Sequence, residues 1–230
     1  MVKTVDRFEQ IKAHFEKEAA VFDRLFFKVM PEYRAMSEAL AEALPFPKAA
    51  RPSVIDLGCG TGNLAEKVLA RYTKARLTCV DMAENMLIMA RAKLKGRSIE
   101  FRQADILKFP YKTCDAVVSS LVLHHVEERQ KPRFYRKLYS ALRSGGAFYN
   151  IDIFVSPDPR LQKLFMEKWK AFMAAGLPRR RVNEMIARHQ REDRPTDLAS
   201  ELGFMREAGF KRIEVVLKRY NFAVYGGIKQ

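Results

Sequence analysis

Residues 54–64 read VIDLGCGTGNL. A short apolar run stops at glycine, and the chain then enters a helix-forming stretch over 62–73. Few folds accept this. Glycines permit a tight turn and let a ligand lie against bare backbone, and the helix that follows aims its free N–H groups at that ligand. The spacing is G-x-G-x-G through Gly58, Gly60 and Gly62, not the G-x-G-x-x-G of dinucleotide binders, which argues against a pyrophosphate cofactor. Asp56 precedes the glycines, where a carboxylate suits a cation or an amine. A glycine turn that only packs helix on strand has the same local pattern.

Two further acids follow apolar runs. Asp81 ends ARLTCVD, 19 residues after Gly62, a position that suits the two hydroxyls of a ribose or the N-cap of a helix over 83–95. Asp105 follows SIEFRQ, where it either accepts from an exocyclic adenine amine, with Ile106 on the ring, or turns the chain. CDAVVSSLVL (114–123) and GGAFYNIDIFV (145–155) read as strands, and 130–143 as a helix. Strands alternating with helices predict a doubly wound, mostly parallel α/β sheet with right-handed crossovers. KRIEVVLKRYNFAVYGGIKQ leaves no room for a helix between its two strands, so that pair is antiparallel. Before the sheet, 5–44 read as helices, with Pro31 starting the second. Beyond Pro157 and Pro159 a helical stretch runs to about 208, broken at Gly176/Pro178 and at Pro195. The expected units are a helical cap (1–48), a cofactor-binding core (49–156), a helical substrate lid (157–205) and closing strands (206–230).

Taken in order, VIDLGCGTG, VDM, QADI and CDAVVSSLVLHHV resemble the class I S-adenosylmethionine-dependent methyltransferases, whose sheet has seven strands; LGFMREAGF (202–210) resembles that family's last helix and turn. The resemblance implies S-adenosylmethionine as cofactor and an in-line methyl transfer. It implies that Gly58, Gly60 and Gly62 face the methionine part, with Asp56, Cys59, Met82 and Met86 also binding the cofactor. Asp81 would hold the ribose, Asp105 and Ile106 the adenine, and Ser120 and Leu121 would lie beside the amino-acid end. Phe22-Asp23 and Pro31-Glu32-Tyr33 are similar to a subgroup whose cap closes the pocket, which brings Tyr33 to the cofactor or the substrate. The Pro-x-Tyr cap, the long insert and Asn221-Phe222 also resemble carboxy-S-adenosylmethionine synthases of tRNA modification. Those enzymes replace the middle glycine, which Gly60 retains, and they need an arginine for the extra carboxylate, for which Arg179, Arg180, Arg181 and Arg194 are candidates.

His124 and His125 follow the fourth strand on the substrate side and are the candidate catalytic residues, with Asp152, Asp158 and Tyr149 weaker ones. Phe165, Trp169, Phe172 and Met173 are candidates to line the lid. Composition narrows the partners. Lys and Arg number 42 against 27 Asp and Glu, a net charge of +15. The excess is spread, net +1 over 1–51 and +7 over each of 52–156 and 157–230, with one dense run at Arg179–Arg181. A small molecule is the expected substrate; tRNA is the alternative partner. No apolar run reaches the roughly 18 residues of a membrane helix, and MVKTVDRFEQ lacks an apolar signal core, so a cytoplasmic protein, monomer or homodimer, is expected. Three cysteines without CxxC spacing predict neither disulfides nor a structural zinc site, and no metal is expected.

Overall fold

The structure, a computed structural model, describes residues 7–230. Part of MVKTVDRFEQ and of the helix read from residue 5 lies outside these. Seven strands form one sheet in the order β3-β2-β1-β4-β5-β7-β6. They are β1 (Ser53–Leu57), β2 (Arg76–Asp81), β3 (Ile99–Gln103), β4 (Cys114–Ser120), β5 (Leu142–Ile153), β6 (Lys211–Arg219) and β7 (Phe222–Ile228). The first five are parallel; β7 runs antiparallel to β5 and to β6. The expected seven-stranded sheet with its antiparallel closing hairpin is the observed fold.

Period-two patterning assigns the faces. Val54 packs in one apolar cluster, Ile55 and Leu57 in the other; Tyr149 and Ile151 share the first, Phe148 the second. Helices cover both clusters. On one side are α3 (Tyr33–Ala43) and α4 (Asn63–Arg71), the latter through Leu64, Ala65, Val68 and Leu69 at helical spacing; on the other is α6 (Lys131–Ala141), through Phe134, Tyr135 and Leu138. Strand order reverses between β1 and β4. The crevice at the carboxyl ends of these strands is where open α/β sheets bind ligands.

The cap consists of α1 (Arg7–Glu18), α2 (Phe22–Val29) and α3. Pro31 does not start α3, contrary to expectation. Glu32 takes a left-handed conformation (φ 55°), so the helix begins at Tyr33. The fourth strand stops at Ser120 rather than running to 123, because Leu121 is left-handed (φ 57°) and Leu123–His125 form a 3-10 turn. The long helical stretch is three helices, α7 (Pro159–Ala174), α8 (Arg179–Glu192) and α9 (Leu198–Ala208), interrupted where Gly176/Pro178 and Pro195 predicted. Asp158 caps α7 by accepting from the Arg160 and Leu161 amides. α9 packs on α6 and β6, so within 157–205 it is α7 and α8 that approach the cap and the crevice.

Candidate active site

The β1–α4 turn forms the floor of a cavity of about 220 Å³ at the switch point. Gly58 and Gly60 are left-handed (φ 61° and 53°), and a Cβ on Gly58 would sit 2.2 Å from Cγ2 of Val122. Gly60 presents open backbone; the nearest atom to a Cβ there is on the Phe22 ring at 4.0 Å. Gly62 does not line the cavity. It is the left-handed residue before α4, packed against Leu94, so of the three expected cofactor glycines it serves the turn. Asp56, Cys59, Met82, Met86, Asp105, Ile106, Ser120, Leu121 and Tyr33 all line the cavity.

Asp81 ends β2 and fastens the loop. One carboxylate oxygen accepts from the Gly60 amide at 2.8 Å, the other from the Ala83 amide at 2.9 Å. Burial lifts its pKa to about 6 against these bonds. Asp56 is fully buried with neither carboxylate oxygen hydrogen-bonded among the described residues. Burial first, then the nearby Asp81 charge, raises it to about 8. An unpartnered buried acid on the cavity wall is stabilised as a carboxylate by a cation. Asp105 accepts from the Leu107 amide at 2.8 Å and so turns the chain where it also faces the cavity.

The cap latches onto this floor. Asp23 accepts from Thr61 Oγ1 (2.5 Å) and Asn63 Nδ2 (3.0 Å) and pairs with Lys93 at 2.6 Å. Glu16 of α1 accepts from the Glu84 and Asn85 amides, at 2.7 and 2.8 Å, at the start of α5 (Glu84–Lys93). Phe22, Phe26 and Tyr33 close over the loop, with Phe26 and Tyr33 edge to face at 4.6 Å. Among the expected lid residues Trp169 lines the cavity, its indole N–H donating to the Val29 carbonyl. Phe165 instead packs on Tyr220, Phe172 is exposed and Met173 lies in the core. Phe222 lines the cavity.

At the other end stand His124 and His125. His124 Nδ1 donates to Asp152 Oδ1 at 2.5 Å. His189 Nδ1 donates to Asp193 Oδ2 at 2.7 Å. Burial lowers the His124 pKa, but Asp152 and Asp193 outweigh it and raise it overall; burial and His124 push His125 down to about 4. His189 and Asp193 were not singled out in the sequence, although their four-residue spacing at the end of α8 was a signal. Asp158 and Tyr149 stand apart from the cavity, one capping α7, the other packed in the core. Arg181 pairs with Glu18 and Glu184, Arg180 with Glu184, and Arg194 donates to backbone carbonyls; among the described residues Arg188 is the arginine that reaches the cavity wall. The cysteines are free and buried.

Residues 54–146 match the family of methyltransferase domains. The chain is similar to the carboxy-S-adenosyl-L-methionine synthase of Campylobacter hominis, 29% identical with 94% of this chain and 95% of that one covered. It is 28% identical to the synthase of the same name from Wolinella succinogenes, with 94% of each covered. Among solved structures it resembles human N-acetylserotonin methyltransferase in complex with S-adenosylmethionine (TM-score 0.67, 17% identical, covering 99% of this chain and 60% of that one). It also resembles an O-methyltransferase family 2 protein of Planctomyces limnophilus in complex with apigenin (TM-score 0.65, 20% identical, 100% and 63%). The chain thus spans under two thirds of the length of these solved proteins.

Proposed function

We propose that this chain is a class I S-adenosylmethionine-dependent methyltransferase and transfers the methyl group of that cofactor to a nucleophile on a small molecule. The observation that carries the reading is the glycine loop held open to the cavity by Asp81 and roofed by the aromatic cap. Asp81 accepts the ribose hydroxyls, Asp105 and Ile106 take the adenine, and Met82 and Met86 pack beside them. Bare backbone at Gly58 and Gly60 receives the methionine part, and the orphaned Asp56 faces its ammonium. Ser120, Leu121 and Tyr33 border that end.

The sulfonium activates the methyl group itself. The protein aligns the acceptor with the S–CH3 bond and excludes water, and orientation of this kind supplies up to roughly 7–11 kcal/mol. We place the acceptor between the cap aromatics, Trp169 and Phe222, with its reacting atom toward His124 and His125. A largely apolar chamber closed by α1, α2 and α8 suits a metabolite better than a tRNA anticodon, and Arg179–Arg181 lie outside it. Among the described residues no helix is long and apolar enough to cross a membrane.

The end-to-end similarity to carboxy-S-adenosylmethionine synthases favours a second reading, in which the chain makes or uses the carboxylated cofactor. That chemistry needs a cation for the added carboxylate. The arginine on the cavity wall, Arg188, is engaged with Glu18 and with His14. Incubation with methyl-labelled S-adenosylmethionine, a deproteinised metabolite extract and bulk tRNA tests the acceptor. Label is expected in the small-molecule fraction; label in the tRNA, or conversion of the cofactor to its carboxylated form, selects the alternative.

A further inference from the structure

The cluster at the acceptor end has a geometry that hydrogen bonding among its members does not explain. His125 Nδ1 lies 3.2 Å from Asp193 Oδ1, yet among the described residues it is buried without a hydrogen-bond partner, because the two atoms are misaligned for one. His124 Nε2 is 3.8 Å from the same oxygen, too far for a hydrogen bond. One donor atom from each of the three residues lies within 4.8 Å of the other two. Two imidazoles and a carboxylate this close together, beyond serving as ion pairs, have the spacing to hold one ion between them.

We propose that His124, His125 and Asp193 form a binding site for a divalent transition-metal ion, with zinc the best match to two imidazoles and one carboxylate. Ligands at about 2.0–2.2 Å around a tetrahedral ion stand about 3.4 Å apart, within the range of these separations. The outer partners are in place. Asp152 holds the His124 Nδ1 proton, which leaves the Nε2 lone pair for the metal. His189 holds the second oxygen of Asp193, and the His189 ring is itself fixed edge-on against Trp169 at 5.1 Å. Imidazoles and carboxylates oriented in this way by a second partner characterise metal sites. The backbone secures the register: His124 and His125 share one 3-10 turn, and the Arg194 amide, next to Asp193, donates to the His124 carbonyl at 2.7 Å.

All three residues line the cavity. Three protein ligands leave a fourth position open, the pattern of a catalytic rather than a structural ion. On the methyltransferase reading, on which this last step rests, the open position faces the acceptor and holds its oxygen or sulfur as an anion, the acceptor's proton passing to water. The acceptor is then a hydroxyl- or thiol-bearing molecule with an apolar or aromatic body.

The test uses the full chain after chelator treatment. Zinc titration by calorimetry is expected to fill one site per chain, and cobalt(II) is expected to give the visible spectrum of nitrogen and oxygen ligands. His125→Ala removes the site. Asp152→Asn keeps all three ligands but loses their orientation and weakens zinc by about 10–100-fold. Circular dichroism of each variant checks its fold. If His125→Ala does not fold, the cobalt spectrum of the wild type decides, since intense sulfur-to-cobalt absorption would place the ion on cysteine. No stoichiometric binding, thiolate ligation, or binding indifferent to both substitutions overturns the proposal. S-adenosylmethionine titrated into the same samples reads the cofactor separately, so failure of the metal site and failure of the methyltransferase reading are distinguishable.

Discussion

Asp81→Ala is expected to lower S-adenosylmethionine affinity by about two orders of magnitude. Asp81 is buried at the end of β2, and each of its oxygens already accepts one backbone N–H. A carboxylate oxygen has capacity for a second bond, and the cavity side is where a ribose diol donates. Bonds to a charged group contribute roughly 1.5–3 kcal/mol each. Loss of two, partly replaced by water, costs about 3 kcal/mol, or roughly 100-fold. The same substitution frees the Gly60 amide, so part of the loss comes from the loop. Asp81→Asn retains one acceptor and should lose less. Calorimetric titration measures both, and a thermal melt without ligand separates weaker binding from a weaker fold. Unchanged affinity in Asp81→Ala removes the ribose assignment.

The largest stability effect is expected from Glu201→Leu. Lys131 and Glu201 are 0% and 2% exposed and bonded to each other. Thr196 accepts from the same ammonium at 2.5 Å, and Tyr135 donates to the carboxylate at 2.5 Å. Tyr135 contacts the Tyr225 hydroxyl, Tyr225 contacts Asn150, and Asn150 donates to Asp152, so the pair ends a buried polar chain that reaches His124. Removing one member of a buried ion pair leaves an uncompensated charge and costs about 3–5 kcal/mol. For a chain of this size that lowers the melting temperature by roughly 6–20 °C. Lys131→Met combined with Glu201→Leu should recover much of the loss, because the penalty lies in the unpaired ammonium rather than in the missing attraction. A loss below about 1 kcal/mol in Glu201→Leu would mean that the pair behaves as a solvated one.

Much of the fold was legible in the sequence because period-two apolar runs alternate with helical ones, and because the glycine turn and the three strand-end acids mark the carboxyl edge of the sheet. Gly62 is ambiguous in the sequence for a local reason. Its left-handed φ serves helix entry as well as it would serve a ligand, and only the Leu94 packing decides between them. Pro31 was misread because proline suits a first helical turn, but the left-handed Glu32 postpones the helix to Tyr33. Leu121 gave no warning, since a leucine rarely adopts positive φ without tertiary support. The lid aromatics could not be sorted by spacing: Trp169 and Phe172 are both at helical positions, and the distinction is which face α2 covers. His189 and Asp193 join His124 and His125 only because the end of α8 returns to the 3-10 turn that follows the fourth strand. Such distant pairings leave no trace in local periodicity.

What the cavity binds decides the function. The decisive measurement is calorimetric titration of the cofactor-free protein with S-adenosylmethionine at pH 7 in two buffers of different ionisation enthalpy, with carboxy-S-adenosylmethionine run in parallel. Asp56, with Asp81, Tyr33 and Cys59 around it, is mostly protonated at pH 7 in the empty cavity because its pKa stands near 8. A bound ammonium lowers that pKa, so binding should release a proton and tighten as pH rises toward 8. The prediction is one S-adenosylmethionine per chain, a buffer-dependent heat of that sign, and no tighter binding of the carboxylated cofactor. Tighter binding of carboxy-S-adenosylmethionine, or no binding of S-adenosylmethionine, would contradict it.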